Sequence, residues 1–282
     1  MQNMIIDKYN QRARKINSLL CVGLDADFDK IPDKFLIHEF PQFEFNKWII
    51  EQTHEYAAAF KINSAFYEAR GDKGIVELKM TMDYLIKNYP DIFTILDAKR
   101  ADIGNTNNGY VKAIFDWLRF DAVTLHPYLG SEALQPFLER KDKVSIILCR
   151  TSNPGAGEFQ DLRVSDVGRL EFGRPTSETK PLWQIVAEKV SKDWNKNKNC
   201  MLVVGATYPE EMKKIRAIAP DMTFLVPGVG AQGGDLKATL KAGVNGQGLG
   251  LIINSSRSII FSENPKEEAK KLYEEIKRYI SK

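Results

Sequence analysis

Three cysteines and three histidines are all that 282 residues contain of the side chains most used to hold transition metals. Cys21, Cys149 and Cys200 each lie in or beside an apolar run, their number is odd, and no Cys-x-x-Cys spacing occurs. That leaves no disulfide framework or zinc ribbon to read and fits a reduced, intracellular setting. His38, His54 and His126 are far apart and follow no ligand spacing, so no metal is expected.

An excess of charge of one sign is also missing. The chain carries 40 basic and 37 acidic residues, a formal charge of +3, and no basic block stands clear of acidic neighbours. Nucleic acid is therefore not an expected partner. The basic residues of 266–282 are interspersed with Glu267, Glu268, Glu274 and Glu275, as on a solvated helix face. No run approaches the roughly 18 consecutive apolar residues of a membrane span, so no membrane is expected either. Residues 1–16 lack the continuous apolar core of an export signal and read as an opening amphipathic helix, which makes a cytoplasmic protein the expectation.

What is present is a repeating pattern. Eight short strand-like apolar runs occupy 19–24, 58–62, 93–96, 122–125, 144–149, 201–204, 223–226 and 249–253. Between most of them, apolar residues recur at helical spacing, at 45–57, 75–88, 109–118, 182–193, 209–219 and 235–242. Eight strand–helix repeats predict an α/β fold, a (β/α)8 TIM barrel with an N-terminal helix; a doubly wound open sheet is the alternative. Such barrels reach about 250 residues undivided, so 1–282 is expected to form a single barrel domain. The connection from Cys149 to the helix near Leu182 is rich in Gly, Pro, Ser, Arg and Asp. It far exceeds the usual handful of residues, as lids do, whereas 195–199 reads as a plain connector.

In a barrel, residues just past each strand converge on one rim, and that rim carries the chemistry. Here the first run ends in Gly23-Leu24-Asp25, the second in Phe60-Lys61-Ile62-Asn63, and the third in Asp97-Ala98-Lys99-Arg100-Ala101-Asp102. On a strand, side chains alternate faces, so Asp97 and Lys99 should project together, with Asp102 in the loop beyond. Asp25 alone could be a turn residue. Lys61 lies among apolar neighbours and needs an anionic partner, which Asp97 on the adjacent run would supply. After the seventh run the stretch 227–235 holds four glycines around Gln232, and Arg257 follows the eighth. Small residues let backbone amides approach an anion, and the planar guanidinium fork suits phosphate, so a phosphorylated small molecule is the expected substrate.

Taken together these residues resemble the orotidine 5′-monophosphate decarboxylases. The resemblance is carried by Gly23-Leu24-Asp25, Phe60-Lys61-Ile62-Asn63, the Asp-x-Lys-x-x-Asp-Ile-Gly-Asn-Thr string at 97–106, Thr151-Ser152-Asn153-Pro154-Gly155, 227–235 and Asn254-Ser255-Ser256-Arg257. The Asp-x-Lys-x-x-Asp element alone is shared with metal-dependent sugar-phosphate synthases and decarboxylases. The whole set, in the family's order, is more specific, and the long fifth connection resembles the family's longer branch.

The resemblance implies a catalytic array of Lys61, Asp97, Lys99 and Asp102. It implies substrate contacts from Asp25, Asn63, Thr106, Ser152, Pro227, Gln232 and Arg257, with Thr151 an alternative to Ser152 at the pyrimidine. Gln232 and Arg257 match the phosphate grip. Asp102 and Thr106 match residues that reach into a partner's site, which implies a homodimer with shared active sites. The implied reaction converts orotidine 5′-monophosphate to uridine 5′-monophosphate without a cofactor. Loss of the C6 carboxylate leaves an in-plane carbanion with no adjacent π-system, so a fixed ammonium, Lys99, must stabilise it and then protonate it. The competing readings are a magnesium-dependent sugar-phosphate aldolase or decarboxylase, a Schiff-base aldolase using Lys61 or Lys99, and a non-catalytic nucleotide-binding barrel.

Overall fold

Short apolar runs with hardly a polar residue need cover on both faces, which parallel strands flanked by helices obtain. The computed structural model describes residues 5–165, 179–229 and 234–280. In chain order its strands are β1 (Leu20–Gly23), β2 (Ala59–Asn63), β3 (Phe93–Arg100), β4 (Ala122–Leu125), β5 (Val144–Arg150), β6 (Arg163–Ser165), β7 (Thr179–Pro181), β8 (Cys200–Val204), β9 (Phe224–Val226) and β10 (Leu251–Ser255). Eight of them close a parallel barrel in the order β1-β2-β3-β4-β5-β8-β9-β10, with β1 pairing β10 through Leu20 and Ile253. Strands β6 and β7 form a separate antiparallel ribbon. Every residue of β1, β4, β8, β9 and β10 is buried.

One end of the barrel is covered by the N-terminal helix Ile5–Ile16. Its buried Tyr9 donates a hydrogen bond to the carbonyl of Leu251, where β10 begins, at 2.5 Å. Arg12 donates to the carbonyls of His54 at 2.6 Å and Ala57 at 3.3 Å, just before β2, and pairs with Asp91 at 3.0 Å, just before β3. All these partners sit at strand starts, so the helix lies across the N-terminal end and the strand C-termini are left for a site. The C-terminal helix Pro265–Ile280 packs on the helix Pro41–Thr53 and on β1.

The eight expected runs are the eight barrel strands, with local differences. Strand β3 runs on to Arg100, past the expected end at Leu96, so Asp97 and Lys99 belong to the strand. Strand β10 extends to Ser255. The helix expected at 45–57 is Pro41–Thr53, because Pro41 is preset for a first helical turn and nucleates it earlier. The helix Gly130–Leu138 has no counterpart among the expected segments: it begins at Gly130, with φ +81°, and contains Pro136, two residues that read as breakers. The long fifth connection opens with the short turns Pro154–Ala156 and Gly157–Gln160 and continues into the β6–β7 ribbon.

Because Tyr9 joins the covering helix to the barrel, Tyr9→Phe should destabilise the fold by about 1 kcal/mol, the worth of one hydrogen bond. Tyr9→Ala should cost about 3–5 kcal/mol, as for other buried aromatics. Urea unfolding measures both; an unaffected Tyr9→Ala protein would show that the helix is not part of the cooperative unit.

Candidate active site

At the C-terminal end of the barrel, charges of alternating sign have been drawn out of water. The Lys61 ammonium, on β2 and only 5% exposed, lies 3.2 Å from Asp25 Oδ1 and 3.4 Å from Asp97 Oδ2. Asp25 Oδ1 also accepts the Asn63 backbone N–H at 3.2 Å. Lys99 Nζ lies 2.7 Å from Asp97 Oδ1. Burial works against the Lys61 charge, but Asp25 and Asp97 more than offset it and hold this ammonium above the ordinary lysine range. Burial would likewise raise Asp97, yet Lys61, Lys99 and a hydrogen bond from Thr124 bring its carboxyl down to about 2. Below them, burial pushes the Cys21 thiol up, so it stays protonated.

Asp97 and Lys99 do meet, as strand alternation suggests, but the strand between them is not regular. Its pairing with β4 jumps from Leu96↔Val123 to Arg100↔Leu125, so Asp97, Ala98 and Lys99 stand opposite Thr124 alone. Such a bulge redirects side chains near active sites. Lys99 itself has φ +48°, a left-handed conformation that costs a non-glycine residue about 1–2 kcal/mol. Thr124, fully buried, accepts the Lys99 backbone N–H at 3.0 Å and donates to Asp97 Oδ1 at 2.8 Å. Sequence pattern does not single it out, although a hydroxyl in the apolar run Ala122–Leu125 must find a buried partner.

Asp25, Lys61, Asn63, Asp97 and Lys99 line a cavity of about 480 Å³ together with Ser152, Pro227, Arg257 and others. That size is ordinary for a small-molecule site. The wall after β5 is held by Gln160, a second residue that sequence pattern does not mark. Its amide accepts the Thr151 N–H at 2.9 Å and donates to the Thr151 hydroxyl at 2.8 Å, and that hydroxyl donates to Asn153 at 2.7 Å. Arg150, buried on the face of Tyr208, reaches Gln160 at 3.4 Å and Asp161 at 3.2 Å. Ser152 packs so tightly on Gly205 that a Cβ there would come within 2.8 Å of the Ser152 Cβ.

Across the cavity, Gly228 takes φ +93° after β9 and Gly234 N–H returns to the Gly228 carbonyl at 3.1 Å. Gln232 lies outside the described residues. Arg257 is exposed, lines the cavity, and pairs with no carboxylate among the described residues. Asp102 and Thr106 do not line the cavity. Asn107 fixes the Asp102 backbone by accepting its N–H at 3.0 Å and donating to its carbonyl at 2.5 Å, while Thr106 stands exposed in the helix Gly104–Val111. Among the described residues no three His, Cys, Asp or Glu side chains are grouped to hold a metal ion.

Comparison with known proteins gives a consistent result. The sequence model of the family described as Orotidine 5'-phosphate decarboxylase / HUMPS matches residues 18–272. The orotidine 5'-phosphate decarboxylase of Christiangramia forsetii is 47% identical over 261 residues, covering 93% of this chain and 90% of that protein. That of Flavobacterium johnsoniae is 44% identical over 284 residues, covering 98% of each. Among solved structures, the OMP decarboxylase of Leishmania donovani superposes with a TM-score of 0.85 at 39% identity, covering 99% of this chain and all of that one.

The depressed Asp97 carboxyl makes a pH-dependent contribution to stability. Its contribution is complete above the ordinary value of 3.8 and is lost as pH falls toward about 2. Asp97→Asn should therefore be less stable than wild type at pH 7, with the gap narrowing by about 2 kcal/mol between roughly pH 5 and pH 2. Urea unfolding across that range checks it; a gap independent of pH would show that the carboxylate is not held by its lysines.

Proposed function

The chain belongs to the orotidine 5'-phosphate decarboxylase / HUMPS family, and we propose from that premise how its barrel rim converts orotidine 5′-monophosphate to uridine 5′-monophosphate. The reaction is the decarboxylation step of pyrimidine biosynthesis, and the enzyme is a carboxy-lyase. The observation that carries the mechanism is the contrast between the two lysines. Lys61 is 5% exposed and locked between two carboxylates, whereas Lys99 is 50% exposed and lines the cavity. Lys99 is the ammonium that can meet a substrate.

The C6–carboxylate bond breaks, carbon dioxide leaves neutral, and the electron pair stays on C6. The Lys99 ammonium stabilises that charge as it develops and then gives C6 a proton, which solvent later restores to the amine. Asp97, ionised at neutral pH, holds Lys99 and stands as a like charge near the departing carboxylate. Lys61 and Asp25 keep Asp97 in place, and Asn63 orders the Asp25 side. Ser152 lines the cavity and is assigned the pyrimidine contact that the family resemblance implies, with Thr151, also on the cavity wall, as the alternative. Arg257, with Gln232, would take the phosphate, and Pro227 the adjoining wall. No cofactor enters the scheme.

Two features weigh against the rival chemistries. The Lys61 ammonium occupies the place between Asp25 and Asp97 that a divalent cation would need. A Schiff base on Lys61 needs a neutral amine, and the shift at Lys61 runs the other way. The position of Asp102 and Thr106 outside their own cavity supports a homodimer in which each chain completes its partner's site. The whole chain, 1–282, is taken to act as one barrel domain in the cytoplasm, with neither nucleic acid nor membrane as partner. No helix among the described residues is long and apolar enough to cross a membrane.

With EDTA present, Lys99→Ala should lower decarboxylation of orotidylate by roughly 10³-fold or more while binding uridylate with only modest loss. The fall in orotidylate absorbance measures it, and an active Lys99→Ala enzyme would remove Lys99 from the mechanism. For the shared site, mixing inactive Lys99→Ala and Asp102→Ala chains should restore activity, because each heterodimer would hold one intact site. No recovery after verified subunit exchange would place Asp102 in its own chain's site.

A further inference from the structure

We propose that Thr124 is a positioning residue for the decarboxylation, fixing both the backbone and the ammonium of Lys99 through a single hydroxyl. The proposal rests on the reading of Lys99 as the group that meets C6. Thr124 Oγ1 carries one proton, and the Asp97 carboxylate can only accept, so the proton is committed to Asp97 Oδ1 at 2.8 Å. That leaves an oxygen lone pair for the Lys99 backbone N–H at 3.0 Å. Asp97 Oδ1 also receives Lys99 Nζ at 2.7 Å. The result is a closed circuit running from the Lys99 backbone nitrogen through Thr124 and Asp97 to the tip of the same lysine.

The strand does not provide this restraint. Between Leu96↔Val123 and Arg100↔Leu125 the ladder of β3 and β4 is interrupted, and Thr124 is the one β4 residue opposite the interruption. At φ +48° Lys99 is in a conformation its own side chain disfavours, so something must hold it there. Thr124 is fully buried. An apolar residue in its place would strand the Lys99 N–H inside the bulge and leave Asp97 one donor short. It would free the lysine to relax at both ends while leaving every residue that lines the cavity chemically unchanged.

Thr124→Val removes the hydroxyl at nearly constant volume, and Thr124→Ser keeps the hydroxyl while losing the methyl. For Val, kcat on orotidylate should fall about 10- to 100-fold, the scale of a displaced catalytic group, with KM and uridylate affinity within about threefold of wild type. Ser should restore kcat to within about threefold. Wild-type kcat in a folded Val variant overturns the proposal, and so does a Val defect that Ser does not repair, since that would be packing. If Val does not fold, Thr124→Ala set against Thr124→Ser decides on the same criteria. Lys99→Ala, assayed alongside, separates the two claims. An active Lys99→Ala enzyme sinks the reading of Lys99, whereas an inactive one beside a fully active Val variant sinks only the role of Thr124.

Discussion

Everything at the rim depends on how one carboxylate, Asp97, divides its two oxygens. Oδ2 faces the buried ammonium of Lys61, and Oδ1 takes Lys99 and the Thr124 hydroxyl. A carboxylate so placed cannot move without stranding a lysine in a region where an unpaired charge is strongly unfavourable. The arrangement is therefore rigid ahead of substrate binding. If this site stabilises a carbanion as proposed, fixed charges spare it the reorganisation of water dipoles.

The barrel gives those charges their positions by closing on itself. With the N-terminal helix laid across the strand starts and the helices packed outside, the strand ends are where polar groups can face a cavity. Parallel strands bring Lys61 beside Asp97 because β2 and β3 are neighbours, paired Asn63 to Asp97. The chain makes one wall of the cavity from the long fifth connection, where Gln160 closes a hydrogen-bonded circuit around Thr151 and presents Ser152 beside it.

Much of this is legible in the amino-acid sequence. Buried parallel strands leave short apolar runs, and eight such runs alternating with helices favour a closed barrel over a doubly wound sheet; Asp25, Lys61, Asn63, Asp97 and Lys99 stand out as charge and amide placed where apolar strands end. What stays hidden has physical reasons. The left-handed turn at Lys99 is flanked by Ala98 and Arg100, with no glycine or asparagine to advertise it. Thr124 looks like an ordinary strand residue because threonine suits strands anyway. Gln160 lies in a connection with no periodicity to interpret. The separation of Asp102 and Thr106 from Asp97 and Lys99 is invisible in spacing and comes from family resemblance.

The interrupted ladder between β3 and β4 has a broader meaning. Leu96 and Arg100 both keep their β4 partners, so that side of the sheet closes around the residues between them. Asp97 keeps its pairing with Asn63 of β2, while Ala98 and Lys99 arch out of the register with β4, braced from that strand by Thr124. If Thr124 positions Lys99 as proposed, adjusting the brace would re-aim the arch without reopening the cylinder. On that reading, the setting of the proposed reactive group is open to change through a position that does not line the cavity, with the architecture kept.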